Sequence, residues 1–188
     1  MARRCLWAVA IVVLAGCSSG GPIRGGPLAE PGFRMGESVL MDVGKTGTYG
    51  AETLANRGRE AVVLDRIAFL DRTPGLELVG PLVMHVRTKP GVPALATGFI
   101  RRYPPPHEGA TLHRVAGFRI SPHRSWKDDA ELLIGFRAHR TGALSYRGFE
   151  LHYHVGNTRY VAMYPDPLTV CAPRSFPLRR CKLPGRRG

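Results

Sequence analysis

The residues with the most chemistry in them are two histidines one position apart. His152-Tyr153-His154 lies in an alternating run. If that run is a strand, both imidazoles project from one face, with Cβ atoms roughly 7 Å apart. H-x-H on a strand lets two ring nitrogens reach one ion, and imidazole suits copper and zinc. Met163 on the returning run offers a thioether for Cu(I), and Glu150 a carboxylate that could orient a ligating ring. His85, His123 and His139 are the candidates for a third nitrogen, while Arg159, across from His154, works against a cation. The expected metal set is therefore His152, His154 and Met163. The competing reading is a sheet face on which the histidines bind nothing.

Catalytic signatures are missing. The chain has no G-x-S-x-G elbow, no H-E-x-x-H pair and neither of the glycine-rich phosphate loops. Its paired carboxylates, Asp128-Asp129, are chain neighbours whose side chains point apart. The expectation is a protein that is not an enzyme, with no catalytic residues. A hydrolase whose site is assembled from distant residues is the alternative that one sequence leaves open.

The element that must position the histidines is "RGFELHYHVGNTRYVAMY", Arg147 to Tyr164. Gly156-Asn157 between two alternating runs predicts a hairpin with a two-residue turn. Counting outward pairs Val155 with Thr158, Tyr153 with Tyr160, Leu151 with Ala162 and Phe149 with Tyr164. That face is aromatic and apolar, so it is the expected core face. Glu150, His152 and His154 lie on the other, opposite Met163, Val161 and Arg159.

Upstream, Ser38–Gly44, Tyr49–Asn56, Ala61–Asp71 and Leu76–Arg87 read as strands separated by turn residues, with weaker candidates at Val92–Arg101 and Ala110–Ile120. Ser125–Leu133, "SWKDDAELL", is the one expected helical turn, with Ser125 as cap and Asp128 at the capping-box position. "RRYPPPHEG", Arg101–Gly109, is expected to be a stiff extended loop. "HRVAGFRISPHRSWK", His113–Lys127, interleaves basic and aromatic residues and is expected to cover a sheet edge. Many short strands with frequent turns argue an all-β sandwich. Leu132–Tyr164, together with "LANRGREAVVLD", resembles the late and early strands of immunoglobulin-like sandwiches, including immunoglobulin-like exported domains of high-GC bacteria. The resemblance implies an immunoglobulin-like β-sandwich fold and no particular function.

The N-terminus carries a second resemblance. Arg3-Arg4 is followed by an uncharged apolar run, Leu6–Ala15, about half the roughly 20 residues needed to span a bilayer. A positive segment, a short apolar run and small residues have the shape of a secretory signal peptide. Leu14-Ala15-Gly16-Cys17, followed by a Ser-Gly tract, resembles the lipobox of bacterial lipoproteins. The resemblance implies cleavage between Gly16 and Cys17 and diacylglyceryl transfer to the Cys17 thiol. It places the protein at the cell membrane, lipid-anchored on the extracytoplasmic side, with Sec and twin-arginine export both open. Cys5 would leave with the signal peptide, so Cys171 and Cys181 remain, and in an oxidising compartment they are expected to pair as a disulfide.

The expected organisation is thus a signal peptide over 1–16, a lipidated cysteine and flexible Gly/Pro/Ser tether over 17–32, and one domain over 33–188. The formal charge is +13, and removal of Arg3 and Arg4 leaves +11 (13 − 2). Such charge can mean nucleic acid, which a lipid-anchored exported protein rarely meets, or it can simply keep the protein soluble. Anionic lipid head groups, a wall polymer or an envelope protein are the expected partners. No cofactor is expected beyond the copper or zinc of the histidine reading. The function expected is a non-catalytic accessory or binding role at the cell envelope.

Overall fold

The alternation that predicts the hairpin over Arg147–Tyr164 is met residue for residue in the computed structural model, which describes residues 21–28, 36–85, 98–106, 111–125 and 129–184. Strand β11 (Gly148–Val155) pairs antiparallel with β12 (Thr158–Tyr164) in the register counted from the turn, from Val155 opposite Thr158 to Phe149 opposite Tyr164. Phe149, Leu151, Tyr153, Ala162 and Tyr164 are buried to 0% exposure. Phe149 stacks on Tyr164 at 5.0 Å and Tyr153 on Tyr160 at 5.4 Å between ring centroids. Such pairs add about 0.5–1.5 kcal/mol each beyond the area they bury.

Eleven further strands complete the described fold: β1 (Ile23–Arg24), β2 (Glu37–Leu40), β3 (Thr46–Leu54), β4 (Val62–Leu70), β5 (Leu76–His85), β6 (Phe99–Ile100), β7 (Leu112–Arg114), β8 (Arg119–Ile120), β9 (Ala130–Ala138), β10 (Gly142–Tyr146) and β13 (Leu168–Ala172). They form sheets ordered β1-β12-β11-β4-β8, β6-β3-β9-β5-β7 and β10-β13-β2. The first two pack face to face over a core that includes Leu64, Phe136, Phe149, Leu151 and Tyr153. Within them β3-β9-β5 and β4-β11-β12 repeat the B-E-D and C-F-G order of immunoglobulin-like sandwiches. The domain is an all-β sandwich, as the strand pattern implied. In the third sheet, β13 runs parallel to β2, and Cys171 at its end is bonded to Cys181, Cα to Cα 5.8 Å. Closing a loop this short contributes about 3 kcal/mol on the chain-entropy account.

Three expectations change. Ala130–Leu133 is not helical: it opens β9, hydrogen-bonded to β3 on one side and β5 on the other. The central strand of a sheet covered on both faces reads as a continuous apolar run, and its two ladders outweigh the local helical preference. Trp126–Asp128 lie outside the described residues. The weak candidate Ala110–Ile120 splits into β7 and β8, which pair with β5 and β4 in different sheets. Of Val92–Arg101, only Phe99–Ile100 is a described strand.

The third change concerns the tether. Signal peptide, lipobox and Cys17 lie outside the described residues, but Gly21–Leu28, assigned in the sequence to a flexible linker, is docked. Ile23 and Arg24 pair parallel with Tyr160 and Val161, the Gly25 N–H donates to Val161 O at 3.0 Å, and the Tyr153 hydroxyl donates to Gly25 O at 2.7 Å. Leu28 is buried in the core. Gly26 permits this course: its φ is +114°, and a Cβ there would lie 2.5 Å from the Tyr153 hydroxyl and 2.7 Å from the Tyr160 ring. Gly26→Ala should therefore lift the segment off β12. Hydrogen exchange at the Gly25 amide would rise to the rate of an unprotected amide, while amides of β9 stay protected.

Candidate functional site

His152 and His154 reach the outer face of the β4-β11-β12 sheet because Tyr153 between them is committed to the core. Their surroundings come from an irregularity in β4. His154 pairs with Val63 and Tyr153 with Leu64, but His152 pairs with Arg66, so Asp65 is an extra residue in the ladder. A bulge re-aims the side chain it carries, and Asp65 Oδ1 ends 2.8 Å from His154 Nδ1. His152 Nε2 lies 3.4 Å from Glu150 Oε2, too poorly aimed for a hydrogen bond, and is otherwise buried without a partner. A cleft of about 610 Å³ opens over this face, walled by Pro22, Asp65, Arg66, His152, His154 and Arg159 among others.

Each imidazole thus has its own carboxylate neighbour. Met163 sits opposite Glu150, 39% exposed, and does not line the cleft. The other histidines are elsewhere: His139 is 2.7 Å from Glu77, His123 is 2.6 Å from Asp129, and His85 stacks 4.8 Å from Phe118. Among the described residues no group of three or more His, Cys, Asp or Glu side chains is placed to hold one ion. The guanidinium groups of Arg66 and Arg159, with no ion pair among the described residues, line the same cleft, and like charge close by disfavours a cation.

What the arrangement suits is an anion. Register puts Arg24 beside Val161 and Arg119 beside Val63, hence on the face that carries His152 and His154. Arg24, Arg66, Arg119 and Arg159 are all exposed. Asp65 and Glu150 are the acids among them, both already close to a histidine. Sequence reasoning missed Asp65, Arg66 and Arg24: an i, i+2 count cannot see a bulge, and nothing in Gly21–Leu28 looks like a strand.

It also missed two buried acids. Asp166, between β12 and β13, is 3% exposed; its Oδ1 accepts a hydrogen bond from the Tyr49 hydroxyl at 3.0 Å, and its Oδ2 has no partner. Glu131 on β9 is 1% exposed, and its Oε2 has no partner either. Burial pushes both carboxyls up to about 7. Desolvation and the adjoining Asp166 push the Tyr49 hydroxyl upward as well. These groups are separate from the histidine cleft and none lines it.

No helix among the described residues is long and apolar enough to cross a membrane. No protein family matches the chain, and no curated protein does. Among solved structures it is similar to the Vibrio cholerae VesB protease at 9% identity and a TM-score of 0.36, over 78% of this chain and 32% of that one, a likeness that carries no argument.

Proposed function

We propose that the protein is a lipid-anchored lipoprotein of the bacterial cell envelope whose domain has a non-catalytic binding role. Its ligand is an anionic, phosphate-bearing surface, met by the arginine-rich outer face of the β4-β11-β12 sheet. The observation that carries this reading is the docking of β1. Pro22 walls the cleft, and only five steps of chain separate it from Cys17. Five residues extend at most about 17 Å. An acyl anchor on Cys17 would therefore keep the cleft close above the bilayer, from where its arginines can come within a Debye length of the head groups and feel their attraction. A free tether of fifteen residues would leave the domain's orientation open.

Changing Cys17 to Ala tests the anchor. The variant should leave the membrane fraction and lose incorporation of labelled palmitate, because binding strength follows the number of acyl chains. A variant that stays in salt-washed membranes without label, where the arginines no longer hold it, would refute the lipobox reading. Copper or zinc binding stands as the second reading, favoured by two imidazoles in one cleft. A melting midpoint that rises with Cu(II) or Zn(II), and no longer rises in a His152→Ala, His154→Ala variant, would put it first.

A further inference from the structure

The "RRYPPP" stretch does more than connect strands. β6 pairs with β3, Ile100 opposite Thr48, and brings the chain onto the outer face of the β3-β9-β5 sheet. Two contacts then pin it there. The Thr48 hydroxyl donates to Arg102 O at 2.5 Å, and the Tyr103 ring packs against Gly135 so closely that a Cβ there would collide with it. Beyond those pins, Pro105 and Pro106 roof a cavity of about 240 Å³. Phe99 and Ile100 line it on the β6 side, and β5 and β9 contribute Met84, Leu133 and Glu131.

Glu131 is the anomaly in this cavity. Register sets it beside Met84 on β5 and Thr53 on β3, so it projects from the outer face of the sheet, with Leu133 two residues on. Its carboxyl is enclosed and Oε2 has no hydrogen-bond partner. A buried carboxyl with an unsatisfied oxygen is costly to the fold, and such a group calls for an explanation. Among the described residues lining the cavity it is the one ionisable group.

We propose that this cavity binds a small primary amine with an apolar or aromatic body, its ammonium received by Glu131 and its body packed among Met84, Phe99, Ile100 and Leu133. An ammonium is a donor only, and with a carboxylate it makes a charge-assisted hydrogen bond that an uncharged ligand does not. The apolar wall rewards a hydrocarbon body and leaves a bare cation poorly held. The rigid proline roof means the site is largely formed before the ligand arrives. This site lies on a different sheet from the histidine cleft and does not depend on the anchor.

Benzylammonium chloride is the probe, with benzyl alcohol as the uncharged body and methylammonium chloride as the bodiless cation, each titrated into the purified full-length protein at pH 8. Benzylammonium should bind at least about tenfold more tightly than either control and raise the melting midpoint by about 5 °C near a hundred times its dissociation constant. Glu131→Gln should lose that preference for the cation and bind benzylammonium and benzyl alcohol alike. If this variant does not fold, the Glu131 carboxyl carbon resonance of the native chain gives the same answer. Benzylammonium should move its ionisation to lower pH, whereas benzyl alcohol should not. Equal binding of the two, no binding at millimolar concentration, or an undisturbed Glu131 resonance would overturn the proposal.

Discussion

Between pH 5 and pH 8 the domain should lose roughly 2 kcal/mol of stability for each of Glu131 and Asp166. Burial holds both folded carboxyls near 7, against ordinary values of 4.5 and 3.8. Across that window the unfolded chain has already released both protons while the folded chain keeps them. Unfolding therefore releases protons, and rising pH favours it. The loss starts near the unfolded values and levels off above about 7. Glu37 and Glu52, also raised by burial, act in the same direction, whereas Glu77, lowered by its hydrogen bond with His139, titrates below this window and leaves it unchanged. Asp166→Asn keeps an acceptor for the Tyr49 hydroxyl, and Glu131→Gln keeps the shape of the side chain. Each amide carries a constant cost of its own, so the slope is what decides. Urea denaturation at pH 5 and pH 8 should give a shallower dependence for each variant and the shallowest for the pair, with what is left owed to Glu37 and Glu52. A double variant that runs parallel to the native protein would show that these carboxyls ionise normally in the fold.

Replacing Arg24, Arg66 and Arg159 together with serine should weaken binding to anionic vesicles about a hundredfold at low salt. An arginine close to an anionic surface is worth about 1 kcal/mol, and three on one face act nearly additively. All three are exposed on the side that carries His152 and His154, so their loss removes charge without opening the core. The comparison to make is with an equal number of arginines from the opposite edge, for instance Arg140, Arg174 and Arg179. If charge alone governs, both triple variants lose the same affinity. If the face governs, the second loses far less, and the native dependence on salt is steeper than that of the first. The measurement uses the Cys17→Ala protein on phosphatidylglycerol vesicles, so that the acyl chains do not mask the electrostatic part. Equal losses in the two variants would leave the lipid anchor without an oriented partner face.

The hairpin shows how far a local pattern can be read. Alternation from Phe149 to Tyr164 around Gly156-Asn157 determines which residues pair, which side is the core and where the histidines point. Strand geometry permits only two faces, and one of them is aromatic. The same logic carried β4 and β5 and the sandwich class, and the Cys171–Cys181 bond joins the two cysteines among the described residues. These features depend on neighbours a few residues apart or on the chemistry of one residue type.

The rest depends on partners far along the chain. β9 was misread at Ala130–Leu133 because its identity as a strand comes from β3 and β5 on either side, not from its own preference. Gly21–Leu28 has no strand pattern and became an edge strand only because β12 offered free carbonyls and Tyr153 and Tyr160 left a groove that Gly26 can enter. Asp65 meets His154 through a bulge, one extra residue that no period of two can reveal. Glu131 and Asp166 are ordinary acids in the sequence; their unusual protonation exists only where a roof of prolines or a packed turn excludes water. The sequence by itself determined the faces of this protein, since side-chain alternation is a local law. Tertiary structure alone decided which charges lie together and which are dry, because both are properties of distance and solvent access, to which chain order is blind.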